Sequence, residues 1–196
     1  MNDLQKITEW SKRIHELELS KGWWQDGIKN RSVAEIVANL HGEISEAWEE
    51  YRAGRMDTWF SIDGQPIEMD SQGEAVLRQT GRTAKPEGFW VECADLVIRL
   101  MDAIGACDWE VFCALIDNEN LGENIPEFIV DLHATVADML PPGCAQWQPK
   151  SCFYASGIIT GCLTASRYND VDLWSLIELK HAYNQTRPYR HNNKLA

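Results

Sequence analysis

The acidic residues of one predicted helix are spaced to bind a divalent cation. Residues 33–52 have the apolar periodicity of an amphipathic helix, on which Glu43, Glu46 and Glu50 share a face. Like charges at this spacing repel by about 0.2–0.5 kcal/mol per close pair. A hard cation such as Mg²⁺, which prefers oxygen ligands, would offset that cost. The alternative is a solvated acidic face, since the chain contains 30 Asp and Glu residues.

A second acidic pair interrupts a much more apolar predicted helix. Glu92 and Asp95 are three residues apart in a run that is otherwise rich in Val, Leu, Ile and Met. Carboxylates beside a packed face are unfavourable unless they are paired or bound to metal. Local pairing is the alternative, in which Arg99 forms ion pairs with Asp95 and Asp102 one turn away. If the two acidic helices pack together, the predicted ligands of one or two ions are Glu43, Glu46, Glu92 and Asp95.

Basic and amide side chains lie at the end of the last predicted helix. Lys180 and Asn184 are four residues apart, so they face the same way on a helix that Pro188 ends. Basic residues here also interact favourably with the helix dipole, and the alternative is that they have only this structural role. The functional interpretation is a phosphate clamp, in which lysine supplies a point charge and arginine donates in pairs. The predicted members of this clamp are Lys180, Asn184, Arg187 and Arg190.

Taken together, these segments resemble the MazG-like all-α nucleoside triphosphate pyrophosphohydrolases, in their phage and bacterial branch. The resemblance lies in Glu43-x-x-Glu46, in the run 85–100 that contains Glu92-x-x-Asp95, and in the C-terminal run 180–191. Residues 55–84 and 121–165 match nothing in the family pattern. The interval between the acidic motifs is longer than is usual in the family, which indicates an insertion.

The resemblance implies a fold, a cofactor and a reaction. The fold is an all-α helical bundle and the cofactor is Mg²⁺, with Mn²⁺ as an alternative. The reaction is hydrolysis of a nucleoside triphosphate between its α and β phosphates, which releases the monophosphate and pyrophosphate. Glu46 or Glu50 would be the base that orients the attacking water. Two alternatives stay open: a related all-α hydrolase of dUTP-type or other nucleotides, and a non-catalytic helical oligomerisation module.

Two adjacent tryptophans, Trp23 and Trp24, follow the first predicted helix, residues 3–19, and its terminating Gly22. Aromatic rings in such a turn are able to stack on a nucleotide base, although they more often anchor a core or an interface. The resemblance adds weight to stacking, because related sequences have a tryptophan-rich turn before the acidic helix. Both tryptophans are therefore candidates for binding the base.

The segment after the first acidic helix predicts an inserted β-hairpin at residues 57–68. Two short β-prone runs flank Asp63-Gly64, a dipeptide that favours a two-residue hairpin turn. Residues 70–88 are predicted to form a loop. Its basic residues are better explained as solvated loop charges than as phosphate ligands; they are Arg78, Arg82 and Lys85.

Further helices are predicted after this loop. The second acidic helix begins at Gly88 and continues to about Ile104, where Gly105 is expected to break it. Asp108 then predicts the N-cap of a short helix, Trp109–Asn118. The last two helices are predicted from Cys152 to about Arg167, and from a cap at Asp170 or Asp172 to about Gln185.

Two parts of the chain partly repeat each other. Residues 35–46 and 127–138 are related at an offset of 92, which makes His133 the counterpart of His41. This similarity predicts a diverged duplication with half-repeats of roughly 30–122 and 123–196, although two amphipathic helices also resemble each other by coincidence. The acidic positions of the first half have mostly neutral counterparts in the second. One composite site is therefore expected, with metal ligands from the first half and phosphate ligands from the second.

Composition limits the other functional classes. A net charge of −12 argues against nucleic acid or an anionic membrane as a partner, since both need basic surface. The sequence has no apolar run of about 20 residues that would span a membrane, and the N-terminal residues lack the apolar core of a signal peptide. The six cysteines show no metal-ligand spacing and suit a reducing cytosol. A single cytoplasmic domain is expected, and the resemblance implies a homodimer.

Overall fold

In the computed structural model, the described part of the chain forms six helices and a small sheet. The described residues are 2–24, 32–68, 83–111, 123–141, 143–144, 146–148 and 150–189. The helices are α1 (Asp3–Ser20), α2 (Val33–Arg52), α3 (Phe89–Cys107), α4 (Ile125–Met139), α5 (Ser151–Tyr168) and α6 (Leu173–Thr186). The strands are β1 (Trp59–Ile62), β2 (Gln65–Ile67) and β3 (Lys85–Glu87). The predicted all-α fold with a small β insertion is confirmed.

Helix α3 lies at the centre of the bundle. It is apolar on nearly every side, and a helix of that composition is stable only when other elements surround it. It contacts α1, α2, α5 and α6. Because its sides are covered, two of its acidic residues, Glu92 and Asp102, are buried together with its apolar ones. The position of α3 therefore decides how the second acidic motif is surrounded.

The first acidic helix, α2, begins and ends at the predicted residues. The Glu35 carboxylate accepts a hydrogen bond from the Ser32 amide at 3.3 Å, as a capping box requires. One face, including Ile36, Leu40 and Ile44, is buried in the core. The apolar stripe of α2 thus packs against α3 and α4, and Glu43, which lies beside the stripe, is buried with it.

The small sheet has the strand order β2-β1-β3, with all pairs antiparallel. The predicted hairpin is confirmed, and Asp63 and Gly64 in its turn both have positive φ, as a type I′ turn requires. The prediction of a loop before α3 is wrong at β3, which pairs with β1 so that Phe60 lies opposite Pro86. Proline argues against a central strand, but β3 is at an edge of the sheet, where proline is tolerated.

The end of α3 also differs from the prediction. The helix continues through Gly105 to Cys107, and Asp108 is its left-handed C-cap, with φ 50°, rather than the N-cap of a new helix. Residues 109–111 are not helical. The rest of the predicted helix, from residue 112, lies outside the described residues. Gly105 stays in α3 because α1 passes closely there: a Cβ at this position would lie 2.5 Å from the Ser11 carbonyl oxygen.

This close approach predicts that Gly105→Ala destabilises the protein, by about 1–3 kcal/mol, because the added methyl group meets rigid backbone of α1. Gly42→Ala is the matched control, since Gly42 is also helical but nothing lies within 4 Å of its added Cβ. That substitution is expected to stabilise by about 0.5–1 kcal/mol through helix propensity. Urea denaturation of both variants measures the change in the free energy of unfolding, which is expected to be a decrease for Gly105→Ala and an increase for Gly42→Ala. A Gly105→Ala variant as stable as the control would contradict the close packing.

Equivalent residues of the two predicted half-repeats meet in the bundle. His41 on α2 and His133 on α4 approach so that their Nδ1 atoms are 2.9 Å apart. Contact between equivalent residues is what a pseudo-twofold axis between two related helices produces. The contact supports the duplication, which stays a prediction.

No described helix combines the length and the apolar composition that a bilayer crossing needs. The five described cysteines are free thiols, of which Cys93 and Cys162 are buried. The expected homodimer and cytoplasmic location stay predictions.

Candidate active site

Helices α2 and α3 bring three carboxylates of the two acidic motifs together. One carboxylate oxygen from each of Glu43, Glu92 and Asp95 lies within 4.8 Å of the other two. Glu43 and Glu92 are buried, and Asp95 is half-buried. Three oxygens this close have the right chemistry for one hard cation, which holds its ligands at about 2.0–2.6 Å.

This carboxylate cluster, defined by Glu43, Glu92 and Asp95, is largely buried and only partly supplied with hydrogen-bond donors. Glu92 Oε2 is buried and receives no hydrogen bond from any described residue. Burial raises the pKa of Glu92 to about 8, although the nearby Lys180 opposes the shift. Burial likewise raises the pKa of Glu43. The charged forms of Glu92 and Glu43 are thus disfavoured even beside Lys180 and Arg99. A further cation would stabilise them, so the residues present fit a divalent metal.

A buried lysine beside the carboxylate cluster neutralises part of its negative charge. Lys180 on α6 lies with its Nζ 2.8 Å from Asp95 Oδ2 and 3.5 Å from Glu92 Oε1. Its Nζ also donates to the Pro86 carbonyl oxygen at 3.1 Å. Burial opposes the charged form of Lys180, but the two carboxylates outweigh it and raise its pKa. Lys180 therefore stays charged and ties α6 and β3 to the carboxylate cluster.

A cavity of about 330 Å³ lies beside the carboxylate cluster. Such a volume is at the lower end of the range for small-molecule sites, about 300–1,000 Å³. Its walls combine acidic, basic, amide and apolar side chains from α1, α2, α3, β3 and the end of α6. They include Glu43, Glu46, Asp95, Lys85, Arg99, Arg187, Asn184, Asn39, Trp23, Ile36 and Ile98.

Most of the predicted site residues converge on this cavity. Its lining includes the acidic Glu43, Glu46 and Asp95, the C-terminal Asn184 and Arg187, and Trp23. Asn184 Oδ1 is buried and receives no hydrogen bond within the described chain. Acidic residues of the first predicted half and basic and amide residues of the second therefore line one cavity. A composite site needs this arrangement, and the site itself stays a prediction.

Of the four predicted clamp residues, one is placed differently from the prediction and one is not described. Lys180 is fully buried against the carboxylate cluster and does not line the cavity. Arg190 lies outside the described residues. The part of the predicted clamp that faces the cavity consists of Asn184 and Arg187.

Glu50, one of the two predicted bases, has a different role. Its carboxylate accepts hydrogen bonds from Trp59 Nε1 at 2.7 Å and from Arg55 Nη1 at 3.3 Å, and it is not among the cavity-lining residues. The Arg55 guanidinium in turn lies 4.6 Å from the centre of the Trp59 ring. Glu50 thus anchors β1 to α2, and of the two candidates only Glu46 faces the cavity.

The adjacent tryptophans point in different directions. Trp23 lines the cavity. Trp24 is buried, and its indole N–H donates to both carboxylate oxygens of Asp102, at 2.9 and 3.0 Å. His15 Nδ1 lies 2.8 Å from the same carboxylate. Trp24 therefore anchors the turn to α3, and the predicted stacking role is left to Trp23.

Two cavity residues escape the sequence prediction. Lys85 is half-exposed, with its Nζ 2.6 Å from Glu87 and 3.9 Å from Glu92. It faces the cavity because β3 fixes the backbone that the sequence predicts as loop. Arg99 forms its ion pair with Glu43 of α2, whereas the local-pairing alternative placed its partners, Asp95 and Asp102, within α3. A basic residue one turn after Asp95 in a highly apolar helix is the only signal the sequence offers for it.

Comparison with protein-family models, with curated proteins and with solved structures finds no match for this chain. The resemblance to the MazG-like enzymes therefore stays a prediction that depends on the motifs and their spacing. The geometry of the site supports a metal and a phosphate ligand, and the reaction class depends on the motif resemblance.

Proposed function

We propose that the protein hydrolyses nucleoside triphosphates with the help of a divalent cation, releasing nucleoside monophosphate and pyrophosphate. One observation carries the proposal: Glu43 and Asp95 of the carboxylate cluster line the same cavity as the basic and amide side chains of the C-terminal segment, Arg187 and Asn184. A triphosphate with its cation needs both kinds of group side by side. The reaction class itself comes from the motif resemblance.

In this proposal the carboxylate cluster holds the cation. Mg²⁺, when bound, supplies Lewis-acid activation of the phosphate group and of water. Glu43 and Asp95 are presented to it by two helices packed against each other, so their separation is fixed by the core. Glu92 does not line the cavity, and its Oε2 atom receives no hydrogen bond from the described residues. Lys180 stays paired with Asp95 and neutralises part of the negative charge of the carboxylate cluster.

Glu46 is the residue we assign as general base. It lies one turn from Glu43 on α2, its side chain is exposed, and it lines the cavity. A carboxylate in this position is able to accept the proton of an attacking water while the neighbouring carboxylates stay with the cation.

The remaining cavity residues are assigned to the substrate. Arg187, Asn184 and Lys85 donate to the phosphate oxygens and neutralise the charge that develops during phosphoryl transfer. Trp23 offers an aromatic face for the base, with apolar surface from Ile36 and Ile98 beside it. The mixed lining of the cavity suits a ligand with an anionic end and a flat, largely apolar end.

The test is pyrophosphate release from a panel of canonical and modified nucleoside triphosphates, with Mg²⁺, with Mn²⁺ and with EDTA. Wild type is expected to release pyrophosphate only with metal. Glu46→Gln is expected to lower kcat about 100-fold, the usual scale for removing a general base. Glu49→Gln is the matched control, because Glu49 is an exposed neighbour on α2 that pairs with Arg52.

The panel also separates the alternatives. A strong preference for deoxyuridine triphosphate would assign the protein to the dUTP-type hydrolases. No pyrophosphate from any triphosphate, with either metal, would overturn the proposal and favour a non-catalytic helical module.

A further inference from the structure

The carboxylate cluster carries two internal cations, and they differ in their freedom to move. The Arg99 guanidinium donates from Nε to Glu43 Oε1, and 39% of its side chain is exposed. The Lys180 side chain is 1% exposed and has three oxygen partners, on Asp95, Glu92 and Pro86. Arg99 is able to leave its carboxylate through the cavity that it lines, whereas Lys180 would have to leave the core.

The position of Arg99 conflicts with a metal at the same carboxylate. Glu43 supplies one of the three oxygens of the cluster, and Arg99 already binds this carboxylate. Two cations held a few ångströms apart in a half-buried site repel each other strongly. A divalent ion entering the cluster therefore weakens the pair between Arg99 and Glu43, and the doubly charged ion is the stronger competitor for the carboxylate.

The cavity offers Arg99 a second use. Arg187 lines the same cavity. Burial lowers the pKa of Arg187; the negative charge of Asp95 opposes that shift, and the positive charge of Arg99 adds to it. The two guanidinium groups that line the cavity repel each other, and a polyphosphate bound between them would relieve that repulsion.

We infer that Arg99 is a displaceable counter-ion, which neutralises Glu43 in the metal-free protein and, once Glu43 turns to the metal, is released to bind substrate phosphate. The first half of this inference needs only a metal, and the second half rests on the proposed function. Arg99 is thus a positioning residue for the metal and a ligand for the phosphate. Its two roles predict opposite effects when it is replaced.

The test compares wild type, Arg99→Gln and Arg99→Lys in two binding measurements. Mn²⁺ affinity, followed by electron paramagnetic resonance, is expected to tighten about three- to tenfold in Arg99→Gln because a competing cation is gone. The affinity for inorganic pyrophosphate in saturating Mn²⁺ is expected to weaken about tenfold or more, since a charge-assisted hydrogen bond is lost. Arg99→Lys keeps the charge, so it is expected to restore the Mn²⁺ affinity of wild type but only part of the pyrophosphate affinity.

Arg52→Gln is the control, because Arg52 also pairs with a glutamate of α2 but on the exposed side, and neither affinity is expected to change. An Arg99→Gln variant that melts like wild type yet binds Mn²⁺ equally or less tightly would show that the pair is static and overturn the inference. Unchanged pyrophosphate affinity would overturn its second half. If Mn²⁺ binding tightens as expected while wild type cleaves no triphosphate, the counter-ion role stands and the proposed function fails.

Discussion

Replacing Glu92 by glutamine is expected to remove the metal response of the protein and to stabilise its metal-free form. The side chain is 1% exposed, and one of its oxygens receives no hydrogen bond from the described residues. Without a metal, the charged form of Glu92 therefore lowers the free energy of unfolding. In the proposed function the same charge would bind the metal, and its loss is then expected to slow pyrophosphate release about 10³-fold.

The pH dependence of stability follows from the pKa of this group. Burial raises the pKa of Glu92 to about 8. The folded protein holds the proton more tightly than the unfolded chain, whose glutamate has a pKa near 4.5. Stability of the metal-free protein is consequently highest below pH 4.5 as far as this group is concerned, and it falls as the pH rises to about 8. The fall amounts to a few kcal/mol at most.

Thermal unfolding at pH 8, in EDTA and in Mg²⁺, measures both effects. Glu92→Gln is expected to melt higher than wild type in EDTA, and Mg²⁺ is expected to raise the melting temperature of wild type but not that of Glu92→Gln. Lys180 still has Asp95 at 2.8 Å in the variant, so no buried cation is left unpaired. Glu49→Gln again serves as the exposed control. A Glu92→Gln protein that is destabilised in EDTA, or that still gains stability from Mg²⁺, would contradict the assignment of Glu92 as a metal ligand.

The parts of the fold that depend on neighbouring residues were predictable from the sequence. The limits of α2 follow from a cap at Ser32 and from apolar residues at helical spacing, and the hairpin follows from Asp63-Gly64. These signals lie within a few residues of the structure that they specify. By contrast, Gly105 looks like a helix breaker and is kept in α3 by its packing against Ser11 of another helix.

The same distinction separates the predicted site residues from the missed ones. Spacing alone puts Glu46 and Glu50 on one face of α2. Only the tertiary structure shows that Trp59 and Arg55 donate hydrogen bonds to the Glu50 carboxylate, whereas Glu46 lines the cavity. Adjacent tryptophans likewise look equivalent until α3 supplies Asp102 for one of them.

Lys85 and Arg99 needed long-range information of another kind. Lys85 reaches the cavity because β3 pairs with β1, about 25 residues earlier in the chain, and local signals argue against a strand at Pro86. The partner of Arg99, Glu43, is on a different helix. In both cases the sequence shows a basic residue, but it does not predict the strand or helix contact that places the side chain at the cavity.

Lys180→Met is expected to be the most destabilising single substitution at the site. Removing one member of a buried ion pair costs about 3–5 kcal/mol, because the partner charge stays buried without compensation. Here two carboxylates, on Asp95 and Glu92, lose their shared cation. For a chain of this size, the expected fall in melting temperature is about 6–20 °C in EDTA. Lys85→Met is the matched control, because its side chain is 33% exposed and its loss is expected to cost less than about 1 kcal/mol.

A divalent cation distinguishes a functional cluster from a merely structural ion pair. If Asp95 and Glu92 are metal ligands, Mg²⁺ or Mn²⁺ takes over part of the neutralisation that Lys180 provided. Adding metal is then expected to raise the melting temperature of Lys180→Met by more than that of wild type. If the variant is destabilised but metal restores nothing, Lys180 is a structural lysine and the carboxylates beside it are not a metal site. The comparison needs no substrate, so it tests the metal centre separately from the proposed reaction.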